Sequence, residues 1–441
     1  MKISKIISLI LCVLIAGTAF AKWEQLDFPV EEALWHIRFA NPDIGWVVSE
    51  NHLYKTEDGG QTWNEQLESL GRGVLHVKDE NTLLLTNFDY GADDESDGIL
   101  MSKDGGQSWQ VVLQDDIFIH EFDFVSDQVG YAGGGDPDFN PLIKKTTDGG
   151  ETWTTVCDNF PETDYEIMGI SFINATVGWA VSYHGYLYKT TDGGNSWTFM
   201  KQMKLDSDKP SIRDVEFVNS QKGIVIGGIA GCSLVWTTED GGETWTYHEE
   251  FQPGRGSSMN EVQFIDENTC WMVGYGMPST VSVVSTPDFG QTWEGHFEEM
   301  FNTITEQQGC QSLDMVSENI GYFVSNNIHE TLGKIVKYST SEGVTTTDDP
   351  KQLPLKYQLN QNYPNPFNPT TTISYTLPKQ EAVKVAIYDA MGNLVEVIEQ
   401  GNKPAGYHRV EWNAGNHSTG VYFYKLEIGE FTSIKKCVFM K

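Results

Sequence analysis

Six near-copies of one short segment recur along the chain, and their spacing restricts the fold more than any other feature does. The first reads Asp58-Gly59-Gly60-Gln61-Thr62-Trp63, and further copies run Asp104 to Trp109, Asp148 to Trp153, Asp192 to Trp197 and Asp240 to Trp245. The sixth is a variant, Asp288-Phe289-Gly290-Gln291-Thr292-Trp293. Successive aspartates are 46, 44, 44, 48 and 48 residues apart. A period in this range, made of short strands, marks the blades of a propeller. Asp-Gly-Gly makes a tight turn because glycine tolerates positive φ, and the Asp carboxylate can accept from the turn's own amides. The tryptophan that follows is placed to pack inward between blades. Alternating strands precede each turn, as at Ile170 to Ile173, Gly178 to Ser182 and Leu187 to Thr190.

A seventh, degenerate unit runs from Gly321 to Ser325 and from Lys334 to Thr340 without a box tryptophan. Its missing outer strand has a counterpart at the other end, where Lys22-Trp23-Glu24-Gln25-Leu26 mirrors Thr62 to Leu67. Pairing that first strand with the last unit removes the free edges between the ends. The expectation is an all-β chain: a seven-bladed β-propeller over residues 22–340, a polar linker over 341–356, and a small C-terminal β-sandwich over 357–441.

The chain opens on two lysines, an apolar run from Ile6 to Ala16 and an Ala19-Phe20-Ala21 site, so residues 1–21 read as a secretory signal peptide. No segment reaches the roughly 20 apolar residues of a membrane-spanning helix. The net charge of −33 is unevenly placed: residues 22–356 hold 55 acids against 19 bases, and residues 357–441 hold 7 against 8. So acidic a body repels nucleic acid and anionic headgroups. Beyond the leader, Cys157, Cys232, Cys270, Cys310 and Cys437 are too few and too scattered for a disulfide framework or a zinc site.

The repeated segments resemble the Asp-box (bacterial neuraminidase) repeat. That resemblance implies that each box joins the third and fourth strands of a blade and that its Asp and Trp are folding elements. The acidic, box-rich, seven-bladed pattern with strands ending in Gly-Trp or Gly-Tyr looks most like the photosystem II assembly and stability factor family, whose propellers are not known as enzymes. The tail resembles the type A C-terminal sorting domain of the type IX secretion system of Bacteroidetes. The residues that carry this likeness are Asn362 to Ile373, Tyr388 to Gly392, Gly420 to Tyr424 and Lys435-Lys436 to Lys441. It implies Sec export to the periplasm, passage through the outer membrane by the type IX machinery, and removal of the domain by a sortase, with release or surface attachment.

The residues speak against several chemistries. Sialidases need three arginines for the substrate carboxylate, and the propeller region has only Arg38, Arg72, Arg213 and Arg255, with His36 to Ala40 lacking the family's proline. Nucleophilic triads, phosphate loops and zinc motifs are absent, and Gly133-Gly134-Gly135 reads as a bend between strands. No cofactor is called for. One acidic loop offers a weak calcium candidate, Asp93, Glu95 and Asp97, ahead of Gly98. If the boxes occupy one face, the opposite face carries the loops Asp89 to Gly98, Asp136 to Pro141, Tyr275 to Thr280 and Asn326 to Gly333. Entry to the innermost strands lies there too, which makes His36, Arg72, His120, Arg213, Arg255, Asn260 and Gln311 the expected ligand or partner face. The functional expectation is a secreted, cell-surface-directed, non-catalytic binding or structural module for a surface protein or polysaccharide. The alternative is a glycoside hydrolase with paired carboxylates in the propeller cleft.

Overall fold

A computed structural model describes residues 21–68, 73–87, 98–162, 165–205, 210–229, 232–248, 258–276, 280–296, 309–326 and 333–340 of the body, and 358–359, 362, 367, 369–377, 380–403, 406–415, 417–429 and 431–440 of the tail. Residues 1–20 of the signal peptide, the linker, Arg72, Arg255 and the acidic loop of Asp93, Glu95 and Asp97 lie outside the described residues. The chain divides into two compact units, Met1–Val344 and Thr345–Lys441. No described helix is long and apolar enough to cross a membrane.

Among the described residues the first unit contains seven four-stranded antiparallel sheets. The first is Leu34–Phe39, Gly45–Ser49, His52–Thr56 and Asn64–Glu68, in chain order. Five more follow the same plan, their innermost strands being Leu75–Val77, Phe118–Phe124, Ile167–Phe172, Ser211–Phe217 and Ser258–Phe264. The seventh takes Gly309–Ser317, Ile320–Asn326 and Gly333–Thr340 from the end of the unit and Ala21–Leu26 from its beginning. Each sheet presents apolar residues on both faces, and seven clusters fill the spaces between neighbours. One joins Trp46, Val48 and Leu53 of the first sheet to Leu75, Leu83 and Leu85 of the second. Another joins Tyr322, Val324 and Ile335 of the seventh back to Leu34, Ile37 and Val47 of the first.

The repeated turn has the hydrogen bonds its residues suggest. In the third sheet, Thr146 Oγ1 donates to Asp148 Oδ1 at 2.8 Å, while Asp148 accepts from the Thr152 amide at 2.9 Å and its hydroxyl at 2.6 Å. Gly149 and Gly150 sit at φ +82° and +102°, a region glycine enters without the Cβ penalty. The Trp153 indole donates to Gly150 O at 3.1 Å and is buried against the sheet. The hydroxyl and amide of Thr152 hold the Asp148 pKa down to about 2. In the sixth copy Phe289 occupies the first glycine position at φ +55°.

Gly133-Gly134-Gly135 is not a bend, contrary to the sequence reading. It ends the second strand of the third sheet, Gly130–Gly135, paired on both sides. A Cβ on Gly134 would run into the Phe118 carbonyl, and one on Gly133 would press on Ile170 of the next sheet. The glycines serve close packing near the axis rather than a turn.

In the second unit a three-stranded sheet, Gln358–Leu359, Thr370–Leu377 and Gly406–Asn413, faces a four-stranded one ordered Leu394–Lys403, Glu381–Asp389, Gly420–Ile428, Phe431–Phe439. Ile373, Tyr375 and Trp412 share a core with Val385, Tyr424 and Phe439. The strand Thr370–Leu377 follows directly on the proline-containing segment before it. Asn362 fixes its start by donating from its amide to Tyr424 Oη and from Nδ2 to Thr371 Oγ1, both at 2.8 Å.

Candidate functional site

The innermost strand of each sheet is an edge, so half of its backbone amides face away from the sheet and need another acceptor. Side chains of the preceding sheet supply it. Glu121 and Asp123 accept from the amides of Ile170 and Phe172, Glu121 at 2.7 Å. Ser171 accepts from Phe217 at 2.9 Å. Asp214 and Glu216 accept from Val262 at 3.0 Å and Phe264 at 2.7 Å. Glu261 and Gln263 accept from Leu313 at 3.0 Å and Met315 at 2.7 Å, and Asp314 closes the series on Phe39 at 2.5 Å.

These acids crowd the axis, each partly or fully buried. Burial pushes Asp123 up to about 7 and Asp314 up to about 6, and it raises Glu121, Asp214 and Glu216 as well, with mutual repulsion adding to the effect. One guanidinium offsets them. Arg38 is ion-paired to Glu261 and donates to Ser312 Oγ at 2.9 Å and to the carbonyls of Ile37 at 2.8 Å and Leu313 at 3.1 Å. Burial works against its charge, but Glu261 and Asp314 outweigh burial and hold it protonated.

Around Arg38, Glu121 and Glu261 an open cavity of about 490 Å³ leads inward, and all seven innermost strands contribute to its wall. His36, His120, Arg213, Asn260 and Gln311 of the expected face all line it. His120 Nε2 lies 3.0 Å from Glu166 Oε2, Asn260 Nδ2 donates to Cys310 O at 3.0 Å, and the Arg213 guanidinium lies 5.3 Å over the Tyr183 ring. Burial and the nearby Arg38 lower His36 to about 4, and burial lowers His76 to about 3, so both imidazoles are neutral at physiological pH. A second cavity of about 320 Å³, lined by Asp123, Glu216, Gln263 and Asp314, shares Arg38, Glu121 and Glu261 with the first.

Sequence reasoning missed Arg38, His76 and the whole set of axial acids. A pattern was present: towards the end of each innermost strand a polar residue is followed directly by an apolar one, at Arg38, His76, Asp123, Ser171, Glu216, Gln263 and Asp314. Alternating acids in a strand read as a solvated face, and only the edge position of these strands turns them inward. Among the described residues no group of three or more His, Cys, Asp and Glu side chains is arranged to hold a metal ion. The five described cysteines are free.

Fold and site together define the class: an all-β chain of propeller blades that resembles the photosystem II assembly factors and carries a secretion-system sorting domain. The model of the photosynthesis system II assembly factor YCF48 matches residues 15–118 and 107–210, and that of the secretion system C-terminal sorting domain matches residues 361–440. Such a sorting domain directs a chain to secretion or to the cell surface. Among solved structures, YCF48 bound to D1 peptide is similar at a TM-score of 0.53 and 18% identity, over 72% of this chain and 97% of that one. YCF48 from Cyanidioschyzon merolae is similar at 0.50 and 16%, over 72% and 98%. An ancestral GH74 enzyme is similar at 0.51 and 14%, over 94% of this chain and 60% of that one. At these identities the likeness is one of fold. No curated protein matches the chain.

Proposed function

We propose that the first unit is a closed seven-bladed propeller acting as a non-catalytic binding module, and that the second is a β-sandwich that carries it through the type IX system to the cell surface. Residues 1–21 serve as the Sec leader in this reading, and a sortase removes the tail after passage. One observation carries the binding half: the mouth cavity draws on every innermost strand, yet its carboxylates are already engaged. Glu121, Asp214 and Glu261 each cap a neighbouring strand's amide, and Glu261 also holds Arg38.

A hydrolase with two carboxylates needs one acid able to give up a proton to the leaving group and one free to attack or to activate water. Carboxylates tied to structural amides are poorly placed for either role. The fold likeness to a GH74 enzyme keeps that reading as the alternative. One of the two similar YCF48 structures has a D1 peptide bound to it. A segment of a secreted or surface protein is one occupant that the mouth of the present propeller would suit.

The test uses the full chain, labelled and applied to the polysaccharide and protein fractions of the cell surface. Retention that falls about tenfold in a variant carrying His36→Ala and Gln311→Ala supports the mouth as the site. Unchanged retention, or release of reducing sugar from the polysaccharide fraction, overturns the reading.

A further inference from the structure

A row of aromatic rings crosses the rim of the mouth over three consecutive sheets. Phe118 of the third sheet stacks on Phe139 at 5.5 Å and 9°, and Phe139 stacks on Tyr165 at 5.3 Å and 7°. Tyr165 meets Tyr183 and His184 at 5.3 Å each, and Arg213 of the fifth sheet lies over Tyr183. All six side chains are partly exposed.

The row is held in place by strained backbone. Phe139 sits at φ +63° and Glu162, three residues before Tyr165, at φ +61°. The only other described non-glycine residue at positive φ is Phe289, which fills a glycine position of the repeat. A bulky residue in this region costs of order 1 kcal/mol or more and persists where its surroundings impose it. Here they do: Asp136 accepts from the amides of Asp138 at 3.0 Å and Asn140 at 2.8 Å and from Asn140 Nδ2, while the Phe139 amide donates to Asp136 O at 2.8 Å. The loop sets the Phe139 ring between two others before any ligand arrives.

We infer that this row is a binding platform for a neutral polysaccharide chain. The inference rests on the reading of the propeller as a binding module and assigns its ligand class. Flat rings offer stacking surface to the C–H faces of sugar rings, and Arg213, His184 and Asn140 place hydrogen-bonding groups beside them for hydroxyls. Residues 22–356, with 55 acids against 19 bases, repel an anionic glycan. An added peptide strand has no purchase here, because the axial edge amides of Ile170, Phe172, Phe217, Val262 and Phe264 are already capped.

The test measures calorimetric binding of the full chain to cello-, manno-, xylo- and laminarihexaose, with a polygalacturonate hexamer and a decaproline peptide alongside. At least one neutral hexasaccharide is expected to bind, and the anionic hexamer is not. Tyr183→Ala and Phe139→Gly are each expected to weaken binding about tenfold. Glycine suits the left-handed backbone at position 139, so that variant removes the ring without lowering the melting temperature. Failure of every neutral hexasaccharide, binding that both variants leave unchanged, or row-dependent binding of decaproline alone overturns the inference. The mouth is read separately through His36→Ala and Gln311→Ala, neither of which belongs to the row, so loss of one conclusion does not carry the other with it.

Discussion

Trp23 and Tyr338 are register partners in the antiparallel pair between Ala21–Leu26 and Gly333–Thr340, with ring centroids 5.0 Å apart. Trp23 also meets Phe323 at 5.3 Å and Trp271 of the sixth sheet at 6.3 Å, so one residue near the start of the described chain ties together two sheets from the end of its unit. The seventh sheet owes its fourth strand to this pairing.

Truncating that indole should therefore loosen the seam. Trp23→Ala is expected to cost about 3 kcal/mol, the low end for an aromatic truncation because Trp23 is only partly buried. The shift of the guanidinium unfolding midpoint measures it, with the slope checking that unfolding stays cooperative.

Arg38 is the single described guanidinium set among the axial acids. Arg38→Met leaves Glu261 and Asp314 buried without their countercharge and should destabilise the unit by about 3–5 kcal/mol. Denaturant unfolding at neutral pH reads this directly, and a loss below about 1 kcal/mol would show that the acids do not depend on it.

The axial acids predict the pH dependence of stability. Asp123 and Asp314 have folded pKa values raised to about 7 and about 6 by burial, above the ordinary 3.8. The folded state therefore holds protons that the unfolded chain has released, and stability falls as pH rises from about 4 through 7. Unfolding midpoints should be higher at pH 5 than at pH 8. Asp123→Asn keeps an oxygen for the Phe172 amide and removes the charge, so it should flatten that slope and raise the midpoint at pH 8.

The proposed sorting role of the tail predicts where a truncated chain stops. A chain ended after Lys356 is expected to accumulate in the periplasm, while the full chain reaches the surface or the medium. Immunoblots of cell fractions distinguish the two, and surface display of the truncated chain would remove the sorting role.

The sheet plan was legible in sequence because its elements are local: Asp148 bonds Thr146 and Thr152 within one turn, and the turn segment occurs six times. The closing strand was legible because Trp23 keeps the pattern of Trp63. The mouth was partly legible, since His36, His120, Arg213, Asn260 and Gln311 all enter innermost strands and line one cavity. Its chemistry was not. Glu121 and Ile170 lie 49 residues apart, and nothing local to Glu121 says that its partner is a bare edge amide on another sheet. The aromatic row escaped for the same reason: Phe118, Phe139 and Tyr165 come from separate segments, and no sequence pattern marks Phe139 for positive φ. The glycines at 133–135 were read as a bend because glycine commonly makes turns, whereas here it admits a neighbouring backbone.

The mouth exists only if the circle of sheets is sealed where the two ends of the unit meet. Glu24 and Lys337 stand directly opposite in that seam, close enough in an antiparallel pair for a disulfide. In a chain carrying Glu24→Cys and Lys337→Cys, mild oxidation followed by digestion and mass spectrometry should recover the cross-linked peptide pair from monomer in high yield. Recovery of those two cysteines unlinked, or linked only between separate molecules, would contradict the closed ring and the binding mouth built on it.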